Sequence, residues 1–65
     1  MNLKKSIERG LLEKGMSKAE LASELNITPT TLSRILKRGT CSIQTLEDLA
    51  EVFEVKVNEF IRWGE

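Results

Sequence analysis

Imidazoles, thiols and clustered carboxylates do most of the chemistry in small proteins, and this 65-residue chain offers little of any: it has no histidine and one cysteine, Cys41. Cys41 has no second cysteine for an internal disulfide, no imidazole to activate it and no partners for a zinc cluster. It reads as a small, partly buried hydrophobe. No Gly-rich phosphate loop and no carboxylate pair in a definable pocket is legible, so neither an enzyme nor a metal or cofactor site is expected. The informative run is instead Thr28-Pro29-Thr30-Thr31-Leu32-Ser33-Arg34-Ile35-Leu36-Lys37-Arg38. On a helix advancing about 100° per residue, Leu32, Ile35 and Leu36 turn inward, and Thr30, Ser33, Arg34 and Lys37 turn outward together. That outward face contains no acid.

The elements that must carry this strip are short helices. The first spans about residues 2–14, where Leu3, Ile7 and Leu11 recur every fourth residue with Leu12 beside them, and Gly15 supplies the left-handed residue that ends it. Ser17-Lys18-Ala19-Glu20 is a capping box that opens a second helix, closing at Leu25-Asn26. Thr28 as cap acceptor and Pro29 at the first helical position, where a missing N–H costs nothing, open a third that runs to about Lys37 and yields to Arg38-Gly39-Thr40. Ser42 caps a fourth through about Phe53, with Ile43, Leu46, Leu49, Ala50 and Phe53 as its apolar stripe. A short fifth buries Val57, Phe60 and Ile61, and Trp63 near its end is either a core edge or an exposed aromatic available to another chain. Strand-like alternation and internal repeats are absent, so the expected fold is all-α, five helices in one domain over residues 1–65.

The second and third helices are joined by only Asn26 and Ile27, and so short a link forces a sharp crossing. Close crossing demands a small residue, which Ala22 supplies, and the turn needs a residue tolerant of positive φ, which Asn26 supplies. Leu21, Leu25, Ile27, Leu32 and Ile35 then face a common core. Net charge is zero, but residues 1–40 hold eight basic groups and four acidic ones, whereas residues 41–65 hold two basic and six acidic. This asymmetry presents a cationic face to phosphates with the acidic end turned away.

Together these segments resemble the lambda-repressor-like or XRE family, which includes the phage Cro and repressor proteins. The resemblance covers about Ile7 to Ile61 and rests on Glu13-Lys14-Gly15-Met16-Ser17, Ala19-Glu20-Leu21-Ala22, Ile27-Thr28-Pro29-Thr30-Thr31-Leu32-Ser33-Arg34-Ile35 and Ser42-Ile43-Gln44-Thr45-Leu46-Glu47-Asp48-Leu49-Ala50. It implies a helix-turn-helix over about residues 18–37 whose second helix enters the major groove. Pro29, Thr30, Ser33 and Arg34 then become the base-contacting candidates, with Arg34 able to fork onto guanine. Ser17, Lys18, Thr28, Thr31, Lys37, Arg38 and Thr40 become the phosphate-contacting ones. The family usually has Gln where Lys18 stands, and lysine can make the same phosphate contact as a point charge. Its usual glycines at Asn26 and Glu54 are absent, and Lys56 replaces the usual Ser cap of the last helix.

The function this implies is a cytoplasmic, nucleoid-associated transcriptional regulator of a bacterial or phage-infected cell, a Cro-like repressor on a pseudo-palindromic double-stranded operator. No apolar run is long enough for a membrane span or a signal peptide, and no small-molecule ligand is expected. A weak homodimer, tightened on DNA, is expected through Val55, Val57, Phe60 and Trp63, the nearest apolar group to the chain end. The alternative is an antitoxin-type interaction module with secondary DNA binding, using Trp63 and the acidic C-terminal half.

Overall fold

Local capping chemistry sets where the helices begin. Asn2 Oδ1 accepts from Lys5 N at 3.1 Å, Ser17 Oγ from Glu20 N at 3.1 Å, Thr28 Oγ1 from Thr31 N at 3.1 Å and Ser42 Oγ from Thr45 N at 3.1 Å. Glu20 Oε1 returns the favour by accepting from Ser17 N at 3.0 Å, which completes the capping box. The computed structural model describes residues 1–65, and these caps precede α1 (Leu3–Lys14), α2 (Lys18–Glu24), α3 (Pro29–Arg38) and α4 (Ile43–Val52). The last helix, α5 (Val57–Arg62), starts after Lys56 with no side-chain cap. Gly15 at φ 60° and Gly39 at φ 74° end α1 and α3. Boundaries differ from expectation by a residue or so: Asn2 lies outside α1 as its cap, Leu25 and Phe53 are right-handed caps of α2 and α4, and α3 continues through Arg38.

One cluster forms the core: Leu3 and Ile7 from α1, Leu21 and Ala22 from α2, Leu32 from α3, Leu49, Ala50 and Phe53 from α4 and its cap, and Phe60 from α5. Leu11, Leu25, Ile27, Ile35, Leu36 and Leu46 pack half-buried around it. Two large apolar residues within the helices fall outside. Leu12, 81% exposed, lies on the side of α1 opposite Leu3 and Ile7. Ile43, expected in the apolar stripe of α4, is instead 78% exposed, because it is the first residue of the helix, where the side chain leans toward the N-terminus and past its neighbours.

Phe60 is 0% exposed, its ring stacked on Phe53 at 5.8 Å between centroids. It therefore fills this chain's own core and has no surface to give a second copy. Trp63 is half-buried too, 6.5 Å from Phe53 and 6.2 Å from Phe60, and the Arg9 guanidinium sits 5.5 Å from its ring, a cation–π cover. Of the two readings of Trp63, core edge is the one its packing supports. Gly10, inside α1, is where this aromatic group meets the first helix: a Cβ there would come within 2.5 Å of Phe53 Cε2.

The α2–α3 junction folds through Asn26 at φ 57°, with Ile27 N donating to Ala22 O at 3.0 Å, and Ala22 is buried where the helices meet. The α4–α5 junction repeats this geometry: Glu54 stands at φ 58° and Val55 N donates to Ala50 O at 2.9 Å. The chain ends are clasped. Asn2 N donates to Gly64 O at 3.0 Å and Lys5 Nζ to Glu65 O at 2.8 Å, while Gly64 is buried so tightly that a Cβ would meet Asn2 O at 2.5 Å. No helix is long and apolar enough to cross a membrane.

Candidate nucleic-acid interface

The acid-free strip expected on α3 is present as a surface. Thr30, Ser33, Arg34 and Lys37 are all exposed, as is Pro29 at the helix start, while Leu32 is buried and Ile35 and Leu36 are half-buried beneath them. Two open depressions border the strip. The first, about 330 Å³, is lined by Thr31, Arg34, Ile35 and Arg38 of α3, then Thr40, Cys41 and Ser42 of the connection and Thr45 of α4. The second, about 320 Å³, is lined by Ser33, Leu36 and Lys37 of α3 with Lys18 of α2 and Lys4 of α1. At about 100° per residue the two sets of α3 side chains project from opposite flanks of the helix.

Each flank has its own chemistry. The first combines two guanidiniums with hydroxyls fixed by capping: Thr28 Oγ1 lies 2.9 Å from Thr31 Oγ1, and Ser42 Oγ donates to Thr45 Oγ1 at 3.0 Å. The same cap, a hydroxyl residue followed three positions later by threonine, therefore opens both α3 and α4 and faces one depression from two sides. Partial burial pushes the Cys41 thiol up from its ordinary pKa, which keeps it a neutral wall of that depression. The second flank combines three ammonium groups with the Ser33 hydroxyl. No carboxylate lines either one. The acidic groups gather elsewhere, Glu24, Asp48 and Glu51 around a separate depression beside Asn26 and Val52. The charge asymmetry along the sequence has become an asymmetry between surfaces.

The fold thus brings Thr31, Arg34, Arg38 and Thr40 together on one flank and Lys18, Ser33 and Lys37 on the other. Pro29 and Thr30 stand at the tip of α3 and line neither depression. Ser17 and Thr28 are exposed, but their side-chain oxygens already accept capping hydrogen bonds, so only remaining valences face outward. Lys4, Ser42 and Thr45 join the surface without having been singled out from the sequence. For Ser42 and Thr45 the signal was available, since Ser42 to Thr45 repeats the spacing of Thr28 to Thr31; for Lys4 only tertiary packing supplies it.

An α-helix about 10–12 Å across matches a major groove about 12 Å wide, and in that position its two flanks face the two sugar–phosphate strands. A helix with an uncharged tip, a guanidinium on its outward strip and cationic hollows along both flanks has the chemistry for that placement. A sequence model of the Cro/C1-type HTH DNA-binding domain matches residues 6–64. No curated protein and no solved structure matches the chain significantly.

Proposed function

The chain belongs to the Cro/C1-type helix-turn-helix DNA-binding family, and we propose that it is a Cro-like repressor, one domain over residues 1–65 that binds a pseudo-palindromic operator as a dimer. The observation that carries this reading is the carboxylate-free strip of α3 with a cationic depression on either side. Pro29, Thr30, Ser33 and Arg34 read base edges, Arg34 by donating two hydrogen bonds to guanine O6 and N7. Ser17, Lys18, Thr28, Thr31, Lys37, Arg38 and Thr40 hold phosphates and set the register, without specifying sequence. Half-sites lie about one helical turn apart, as a two-fold dimer requires. Val55, Val57 and Trp63, each half-buried near the α4–α5 junction and the end of α5, supply the contact between copies. Promoter occupancy is the means of repression.

The engagement of Trp63 by Arg9 and two phenylalanines leaves only its outer edge to a second copy and counts against an interaction module built around a free tryptophan. Selection of bound sequences from random duplex DNA is the decisive experiment. The expected result is one enriched palindrome, with two chains per duplex in sedimentation. Absence of enrichment overturns sequence-specific regulation, and a strict one-to-one complex on a palindrome overturns the dimer.

A further inference from the structure

Three lysines from three different helices line one small depression: Lys4 of α1, Lys18 of α2 and Lys37 of α3. Bringing like charges together without a counter-charge is unfavourable, and the chain has ten carboxylate residues with which to neutralise them. None lines the depression, and the two ion pairs of the fold, Arg9 with Glu13 and Lys14 with Glu54, lie elsewhere. The half-buried Leu36 gives the lysine stems an apolar floor that leaves their ammonium ends in solvent, and Ser33 adds a neutral donor. We infer that Lys4, Lys18 and Lys37 form a single cradle for one DNA phosphodiester, so that α1, outside the helix-turn-helix, supplies a positioning contact. This rests on the DNA-binding reading above.

A phosphodiester fits the cradle because its two unesterified oxygens share one charge and accept several hydrogen bonds, whereas a base edge offers no compact charge for three ammoniums. Position agrees with chemistry, since the depression lies on the flank of α3 opposite Arg38, where one strand's backbone runs when α3 occupies the groove. Lys4 is held there from both sides of the sequence. Leu3 before it is in the core, Asn2 caps the helix by accepting from Lys5 N, and Asn2 N is tied to Gly64 O. The exposed Lys4 side chain makes no intramolecular hydrogen bond or ion pair, so changing it leaves the fold intact.

The test uses the full chain and the operator recovered by random-duplex selection, with affinity measured against salt. Lys4→Ala is expected to weaken specific and non-specific duplexes alike, with base preference unchanged. It should lower the slope of log affinity against log salt by less than the value of about 0.9 for a whole phosphate contact, because Lys18 and Lys37 stay on the same phosphate. Lys4→Arg keeps the slope, and Lys56→Ala, a cation outside both depressions, leaves it at the parent value. Duplexes carrying one neutral methylphosphonate at each flanking position in turn then ask whether the lysines share a phosphate. At a single position the effects of Lys4→Ala and Lys37→Ala shrink together. Parent-like affinity for Lys4→Ala, with lowered affinity for Lys37→Ala, overturns the role of Lys4 while leaving DNA binding standing. Sensitivity of the two variants to different methylphosphonates overturns the shared cradle. A parent chain that enriches no sequence and binds without salt dependence removes the DNA-binding reading and the cradle with it.

Discussion

The chain makes the same turn twice and gives only one copy a carboxylate-free surface flanked by cations. At the α2–α3 junction Leu21 and Ala22 are buried, Asn26 takes φ 57°, Ile27 N bonds Ala22 O, Thr28 caps and Leu32 enters the core. At the α4–α5 junction Leu49 and Ala50 are buried, Glu54 takes φ 58°, Val55 N bonds Ala50 O, Lys56 stands at the cap and Phe60 enters the core. The offset that carries Asn26 to Glu54 also carries Arg34 to Arg62. Yet α3 has ten residues, a proline start, a side-chain cap and basic hollows on both flanks, whereas α5 has six residues, no cap and a Glu59 in its first turn. The turn is a way to cross two helices closely. The two copies differ in what the second helix exposes.

If the two turns are structurally equivalent, truncating the core residue of either should cost similarly. Leu32→Ala is expected to lose about 2–5 kcal/mol and Phe60→Ala about 3–5 kcal/mol, enough to unfold so small a domain. Thermal melts by circular dichroism measure both. A Phe60→Ala variant melting within a few degrees of the parent breaks the equivalence.

The matched arginines sharpen the functional contrast. Arg34→Ala should cost about 1–3 kcal/mol on the selected operator and relax preference at one base position per half-site. Arg62→Ala, at the corresponding place on α5, should change neither affinity nor preference. Titrations of both variants on the operator and on single-base variants decide it, and uniform weakening by Arg34→Ala would move base reading to Pro29, Thr30 and Ser33.

A third comparison exchanges caps. Thr28→Ala should destabilise by about 1 kcal/mol, since the Thr31 amide loses its acceptor, and Lys56→Ser should stabilise by a similar amount through the cap that α5 lacks. Equal melting temperatures for Lys56→Ser and parent would mean that α5 is held by Phe60 alone.

The smallest effects belong to the left-handed residues. Asn tolerates positive φ better than Glu, so Glu54→Gly should gain about 0.5–1 kcal/mol and Asn26→Gly less. Glu54 also accepts a hydrogen bond from Lys14, and that bond with the Lys14 charge holds its carboxyl below the ordinary value. A folded pKa below the unfolded one means stabilisation that is complete above the unfolded value and lost as pH falls through the folded one. Since the carboxylate is fully exposed, the acid-side loss is slight. Glu54→Gln should flatten that part of the stability profile, and an unchanged acid limb would show the pair to be energetically silent.

What the sequence reveals here is what is local. Ser17-to-Glu20, Thr28-Pro29 and Ser42 act within one helical turn, so their spacing alone locates three helix starts, and a period of about 3.6 sorts the two faces of α3. The equivalence of the turns is nearly silent in sequence, because it survives only as Leu-Ala before each turn, an aliphatic after the left-handed residue and an arginine further on. Phe60 reads both as the buried side of the fifth helix and as a contact between copies, because an apolar side chain looks alike whether it covers its own core or a partner. The place of Lys4 depends on α1 packing beside α3, a contact with no local signature. Leu12, beside an apolar stripe, and Ile43, at the head of one, show the converse, apolar residues that the fold leaves in water.

The clasp between Asn2 and Gly64 has a consequence for motion. In most small domains the terminal residues fray, and their amides exchange with solvent through local opening that leaves the rest intact. Here the Asn2 amide is a donor to Gly64 O, and Gly64 sits against Asn2 and the buried Ser6 hydroxyl, so the first turn of α1 and the end of α5 open together or not at all. The protected Asn2 amide should exchange at a rate near that of the core helices. Because the joined residues are about as far apart in sequence as the chain allows, closing this contact carries the largest loop entropy in the fold.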